Sequence, residues 1–305
     1  MTSHQNIARS GLWLGVAAYT IWGFLPAYFK LLAHVDPAEL VAHRILWSLL
    51  FLAALLSAWK RWPKLAAALR TPKVVAILAL TALLIGVNWL IYIWAVVNGH
   101  VLAGSLGYYL NPLVNILLGV AVLKERLTRP QMAAVALAGA GVAILAAGAG
   151  EGLWISLTLA FSFASYGLLR KIAPVEAVEG LSIETLILTP IALAWVMILQ
   201  TRGTSGLGMD MTTTILLILS GAVTAIPLLL FTAAAKRLPY STLGFLQYIA
   251  PSLQFLLAVF AYGERLTAAH MICFGLIWTA LAIFAADGIR LGRRAKARAE
   301  AAAGL

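Results

Sequence analysis

Three ionisable side chains stand inside long apolar stretches of this sequence: His43 and Arg44 in one, Glu184 in another. A charged group at the centre of a membrane-spanning helix costs about 2.5–3.5 kcal/mol on insertion scales, so each is a functional candidate by default. The chemistry open to them is proton coupling or contact with a charged substrate group. The competing account is a structural ion pair or an interfacial position, which Arg44 can reach by snorkelling. His43 and Glu184 lie 141 residues apart.

A second set of residues offers hydrogen bonds rather than charge. Asn88 and Tyr92 are four residues apart and share a helical face. Ser105, Tyr108, Tyr109, Asn111 and Asn115 crowd one later segment, and Gln247, Tyr248, Ser252 and Gln254 crowd another. Lipid-facing helices have no use for so many polar groups. Asn88, Tyr92, Tyr109, Asn115, Tyr248 and Gln254 are therefore the candidate lining of a substrate pathway, with Pro112 and Pro251 as helix kinks beside it. An interfacial aromatic belt competes for Trp22 and Tyr28 more than for Asn88.

Catalytic and metal chemistry finds no foothold. No Walker motif, zinc-type histidine spacing or nucleophile elbow occurs, so no catalytic residue, metal site or organic cofactor is expected. Gly139–Ala140–Gly141 and Gly148–Ala149–Gly150 complete no nucleotide loop, and small residues there serve close helix packing. Cys273 is the single cysteine, which excludes an intrachain disulfide.

The elements that must position these residues are membrane helices. Of 305 residues 62% are hydrophobic and 11% charged, far from the roughly 25% charged of soluble domains. Apolar runs long enough to span a bilayer's core recur near 11–32, 38–58, 74–96, 102–123, 130–148, 152–170, 180–200, 212–234, 242–262 and 268–287. The expectation is an all-α integral membrane protein of ten transmembrane helices. The net charge of +11 does not point to nucleic acid. With the amino terminus inside, eighteen basic residues fall in inner segments, among them Lys64, Arg170, Lys171 and Arg294, and three in outer ones, so the positive-inside rule accounts for the excess. Both termini are then cytoplasmic, with Glu151 and Glu264 beside outer loops.

An internal repeat organises the spans. Residues 109–128 align without a gap on 248–267, at an offset of 139, with nine of twenty positions identical, including Tyr109/Tyr248, Pro112/Pro251 and Glu125/Glu264. Gly11–Leu12–Trp13 matches Gly152–Leu153–Trp154 at an offset of 141, the spacing that also relates His43 to Glu184. Each repeat holds five spans, and because five is odd the second starts from the opposite side of the membrane. Such inverted repeats mark secondary transporters with a site near the midplane. The expected divisions are 1–149, 150–289 and a basic tail, 290–305.

The motifs Ala17–Ala18–Tyr19–Thr20–Ile21–Trp22–Gly23, His43–Arg44 with Trp47–Ser48, Gly86–Val87–Asn88–Trp89, Ser105–Leu106–Gly107–Tyr108, Asn111–Pro112 and Gly244 to Tyr248 resemble the RarD proteins. These are the chloramphenicol-sensitive branch of EamA-type transporters in the drug/metabolite transporter superfamily. The resemblance covers nearly the whole chain. It implies a bacterial inner-membrane protein with two five-helix EamA repeats that works by alternating access. Leu102–Ala103–Gly104 departs from the Leu-Glu-Ala common in that branch, which removes one carboxylate from any coupling scheme.

The reading is a permease that exports small amphipathic metabolites or drugs, amino-acid-like compounds among them. Its partners are the bilayer, a small-molecule substrate and, as a possible coupling ion, the proton; oligomeric state stays open. A lipid-modifying membrane enzyme would need a converging nucleophile and base, and a non-transporting receptor or scaffold would leave the repeat without a purpose.

Overall fold

The structure, a computed structural model, describes residues 3–98, 100–147, 152–261 and 268–302. Every regular element among them is helical: α1 (Ser3–Leu31), α2 (Pro37–Ala58), α3 (Trp62–Leu69), α4 (Pro72–Val97), α5 (Val101–Ala121), α6 (Arg129–Ala146), α7 (Leu153–Ile172), α8 (Ala177–Arg202), α9 (Met211–Ala235), α10 (Tyr240–Gln247), α11 (Ile249–Leu256) with a π-helical turn (Leu257–Ala261), and α12 (Ala268–Ala302). Among the described residues nine helical segments are long and apolar enough to cross a membrane, α10, α11 and the π turn counting together as one. α5, although its 21 residues reach about 31 Å, is not counted among these nine. The tail expected beyond 290 continues α12 as helix to Ala302. Glu151 and Glu264 lie outside the described residues.

Local sequence sets the helix ends. Asp36 caps α2 by accepting from the Ala38 and Glu39 amides, with Pro37 in the first turn where a missing N–H costs nothing. Thr128 and Gln131 form a reciprocal capping box on α6, and Asp210 caps α9 through the Thr213 amide. Gly203, at φ +66°, ends α8 in the left-handed region that glycine enters freely. Pro251 has no N–H to give the Gln247 carbonyl one turn earlier, and the helix breaks there, at Tyr248, into α10 and α11. At the equivalent Pro112, α5 runs on unbroken, so only one of the two expected kinks is a helix interruption.

The packing has the symmetry of the repeat. Exchanging α1 with α7, α2 with α8, α4 with α9, α5 with α10–α11 and α6 with α12 maps the principal helix contacts onto one another. Thus α5 packs on α7 as α10 and α11 pack on α1, α2 on α9 as α8 on α4, and α1 on α9 as α7 on α4. The pairs α2–α8, α5–α10 and α6–α12 map onto themselves and mark the twofold axis.

Candidate functional site

A cavity of about 560 Å³ lies between the halves, lined from α1, α2, α4, α5 and α6 on one side and from α7, α9, α10, α11 and α12 on the other. That size falls in the ~300–1,000 Å³ range of small-molecule sites. Its walls come from the second halves of α1 and α4 and the first halves of α2 and α5, so it belongs to one end of the bundle, the end where α1 meets α2 and α4 meets α5. Tyr92 and Tyr108, rings 5.6 Å apart, are accessible there, while Asn88 and Asn111 are buried at its depth.

Asn88, Tyr92, Tyr109 and Gln254 line this cavity together with Pro251. Asn88 also ties α4 to α7, donating to the Leu159 carbonyl and to Ser162 Oγ, each at 2.9 Å. Gln254 Nε2 donates to the Trp22 carbonyl at 3.1 Å. Asn115 and Tyr248, expected on the same surface, are not on it. Both are fully buried, Asn115 donating to Gln247 Oε1 at 2.5 Å across the α5–α10 contact and Tyr248 packed among apolar side chains with Leu106 and Ile116. Pro112 is likewise off the cavity, its carbonyl pressed against Gly244, where an added Cβ would come within 2.8 Å.

The repeat explains this division. Tyr109 and Tyr248 are equivalent positions, as are Asn115 and Gln254, Pro112 and Pro251, and Ser105 and Gly244. In each pair one member lines the cavity and its twin is sealed into helix contacts. The sealed end carries its own closure: Glu125, after α5, accepts from the Tyr240 amide at 2.5 Å and the Ser241 amide at 2.8 Å, an anion on the N-terminus of α10.

The three intramembrane charges part company. Arg44 lines the cavity, its Nε donating to Thr224 Oγ1 at 2.9 Å and its guanidinium lying 5.2 Å from the Phe29 ring and 4.9 Å from the Trp89 ring. His43, its neighbour, is buried away from the cavity with Nε2 3.5 Å from Glu39. Glu39 also accepts from Ser205 Oγ at 2.7 Å and the Gly206 amide at 2.8 Å, anchoring the α8–α9 loop. Glu184 is fully buried 3.5 Å from Arg170, with Thr81 donating to it at 2.5 Å. Arg170, counted from sequence among the inner surface charges, has no exposed surface at all.

Glu39, Arg170 and Glu179 are thus buried charges that sequence reasoning missed; Glu179 lies 2.6 Å from Arg61. One signal for Arg170 was available. Gly180 and Glu184 stand four apart on one helical face, and a Cβ at Gly180 would meet Arg170 Nη1 at 1.8 Å, so the glycine makes room for the guanidinium.

An all-helical membrane bundle with twofold packing and an amphipathic cavity between its halves is the build of a multi-pass carrier. The comparisons narrow it further. The EamA-like transporter family matches residues 9–147. Protein RarD of Salmonella typhi is 50% identical over 94% of this chain and 98% of its own. An uncharacterized transporter of Bacillus subtilis, YojE, is 40% identical over 94% and 97% of the two chains, and the chloramphenicol-sensitive protein RarD of Pseudomonas aeruginosa is 34% identical over 95% and 98%. A solved crystal structure 21% identical in sequence superposes with a TM-score of 0.72 over 90% of this chain and 96% of that one, which speaks for the fold. The chain belongs to the RarD branch of the EamA-type membrane transporters.

Proposed function

We propose that this protein is a secondary transporter that moves a small amphipathic metabolite or drug across the bacterial inner membrane by alternating access, with both termini cytoplasmic. One observation carries the reading. Repeat-equivalent residues occupy opposite environments, Tyr109 and Gln254 on the cavity, Tyr248 and Asn115 in the seal. A structure built of two like halves that is open at one end and shut at the other has a second state of nearly the same energy, in which the environments are swapped. Exchange between the two exposes one central site to each side in turn.

With the termini inside, the cavity end faces outward and the Glu125 seal faces the cytoplasm. Among the described residues the cavity lining is made largely of aromatic rings, amides and one guanidinium, groups that hold a solute, and this supports transport. The deciding experiment measures uptake and efflux of a panel of amino-acid-like and aromatic metabolites in proteoliposomes, with and without a proton gradient. Saturable, protein-dependent flux of at least one member is expected. A panel that is bound but never moved would overturn transport in favour of a receptor.

A further inference from the structure

Among the described residues the charge of Arg44 has no counter-ion. Among the described residues that line the cavity there is no aspartate or glutamate, and no carboxylate lies within ion-pair distance of the guanidinium. One neighbouring carboxylate is Glu184. It shares with Arg44 the lining of an adjoining void of about 10 Å³, but it is already held by Arg170 and Thr81. Arg44 itself touches one hydroxyl and two aromatic rings, and one edge of its guanidinium fork is committed to Thr224. An uncompensated guanidinium at membrane depth is expensive, and burying it beside rings and amides lowers that cost only in part.

Resting on the transport reading above, we infer that Arg44 is the anchor for an anionic group of the substrate, and that the substrate class is a small organic carboxylate with an apolar or aromatic body. The remaining guanidinium edge presents parallel N–H donors that match a carboxylate's two oxygens. Arg44 balances one negative charge, and His270 is the other basic side chain among the described lining residues. Around Arg44, Trp22, Trp89 and Phe163 offer flat apolar walls, and Asn88, Asn111 and Gln254 offer amides to any further polar group. A cationic substrate would meet Arg44 with no acid among the described lining residues to offset the repulsion.

The test uses binding as well as flux. Purified protein in phosphatidylcholine vesicles is titrated with a series of straight-chain and aryl carboxylates, 3-phenylpropionate among them, each paired with its neutral amide and matching amine. Quenching of tryptophan emission reports occupancy, since Trp22 and Trp89 line the cavity. Carboxylates should bind at least about tenfold more tightly than their amides, the worth of one charge-assisted contact. Arg44→Gln should erase that preference and Arg44→Lys should keep part of it. If Arg44→Gln fails to fold, the carboxylate-over-amide ratio on the unaltered protein and Arg44→Lys still decide. Equal binding of acids and amides, or an acid preference unchanged in Arg44→Gln, overturns the inference. So does a response abolished by phosphatidylglycerol in the vesicles, which would give the cation to lipid. Charge-selective binding without flux would sink the transport reading and leave this one standing; flux of amines or amides alone would do the reverse.

Discussion

Glu184 lies 3.5 Å from Arg170 in a spot where both side chains are shut away from solvent, joined by Thr81 at 2.5 Å. Thr81 reaches it from α4, so three helices meet at one carboxylate. Breaking a buried pair strands the surviving charge, at a cost of about 3–5 kcal/mol. Glu184→Gln should therefore lower folded yield and melting temperature, and the double change Arg170→Met with Glu184→Leu should recover most of the loss. Surviving Glu184→Gln protein is expected to keep gradient-driven flux. Normal stability together with loss of gradient dependence would return the residue to proton coupling.

Much of this arrangement was legible in the sequence, and the part that was not has a physical cause. Apolar run lengths located the membrane helices, and the likeness of 109–128 to 248–267 pointed to the twofold plan on which the helices pack. Helical spacing and the crowding of polar groups picked out Asn88, Tyr92, Tyr109 and Gln254, which line the cavity. These signals could not separate Tyr109 from Tyr248 or Gln254 from Asn115, because a sequence repeat is symmetric and a single conformation is not. Arg170 was hidden for another reason. It stands in the last turn of α7, where basic residues ordinarily reach solvent, and only folding α8 back over it puts Glu184 within range.

Asn88 carries a structural duty as well as a place on the cavity. Asn88→Leu removes two donors to α7, leaving the Leu159 carbonyl and Ser162 short of a partner, a loss of about 1–3 kcal/mol. The variant should melt earlier and transport less, whereas Asn88→Asp, unable to donate, should show the same instability. A variant that loses flux at an unchanged melting temperature would instead place Asn88 on the substrate alone.

Asp210 gives a pH-dependent cap on α9. Its carboxylate accepts from the Thr213 amide at 2.8 Å and from Thr213 Oγ1 at 2.6 Å, and these bonds hold its pKa below the ordinary value of 3.8. A depressed folded pKa means stability that is present above the ordinary value and lost as pH falls through the lowered one. Asp210→Ala should thus reduce the melting temperature at neutral pH, and the gap to the unaltered protein should close on strong acidification. A gap independent of pH would mean that the ionised carboxylate is not what caps the helix.

Orientation is tested by labelling single cysteines in intact cells on a Cys273→Ala background. Positions beside Ser205, in the loop that Glu39 holds, should react with an impermeant reagent, and positions beside Lys64 should not. The charge distribution sets this expectation, with eighteen basic residues on the side assigned to the cytoplasm against three on the other. The reverse pattern would invert the assignment of the cavity end to the outside.

The exchange of environments between repeat twins is open to direct test at Asn115 and Gln254. In the state seen here Gln254 lines the cavity and Asn115 is sealed, so a water-soluble thiol reagent should label Gln254→Cys and spare Asn115→Cys. The seal includes the two amide bonds that Glu125 accepts at the start of α10, an N-terminal cap of the kind worth about 0.5–2 kcal/mol. Removing it with Glu125→Ala should shift the balance toward the opposite state. Since 1.4 kcal/mol is a factor of ten in the ratio of the two states, labelling of Asn115→Cys should rise, by about fivefold if the opposite state starts near one part in ten. Labelling of Gln254→Cys should fall in the same protein. Opposed changes at the two sites are what alternating access requires, because the cavity cannot be open at both ends. If both cysteines become more reactive together, Glu125 is only a fastening whose loss loosens the bundle, and the twofold exchange is not how this protein moves.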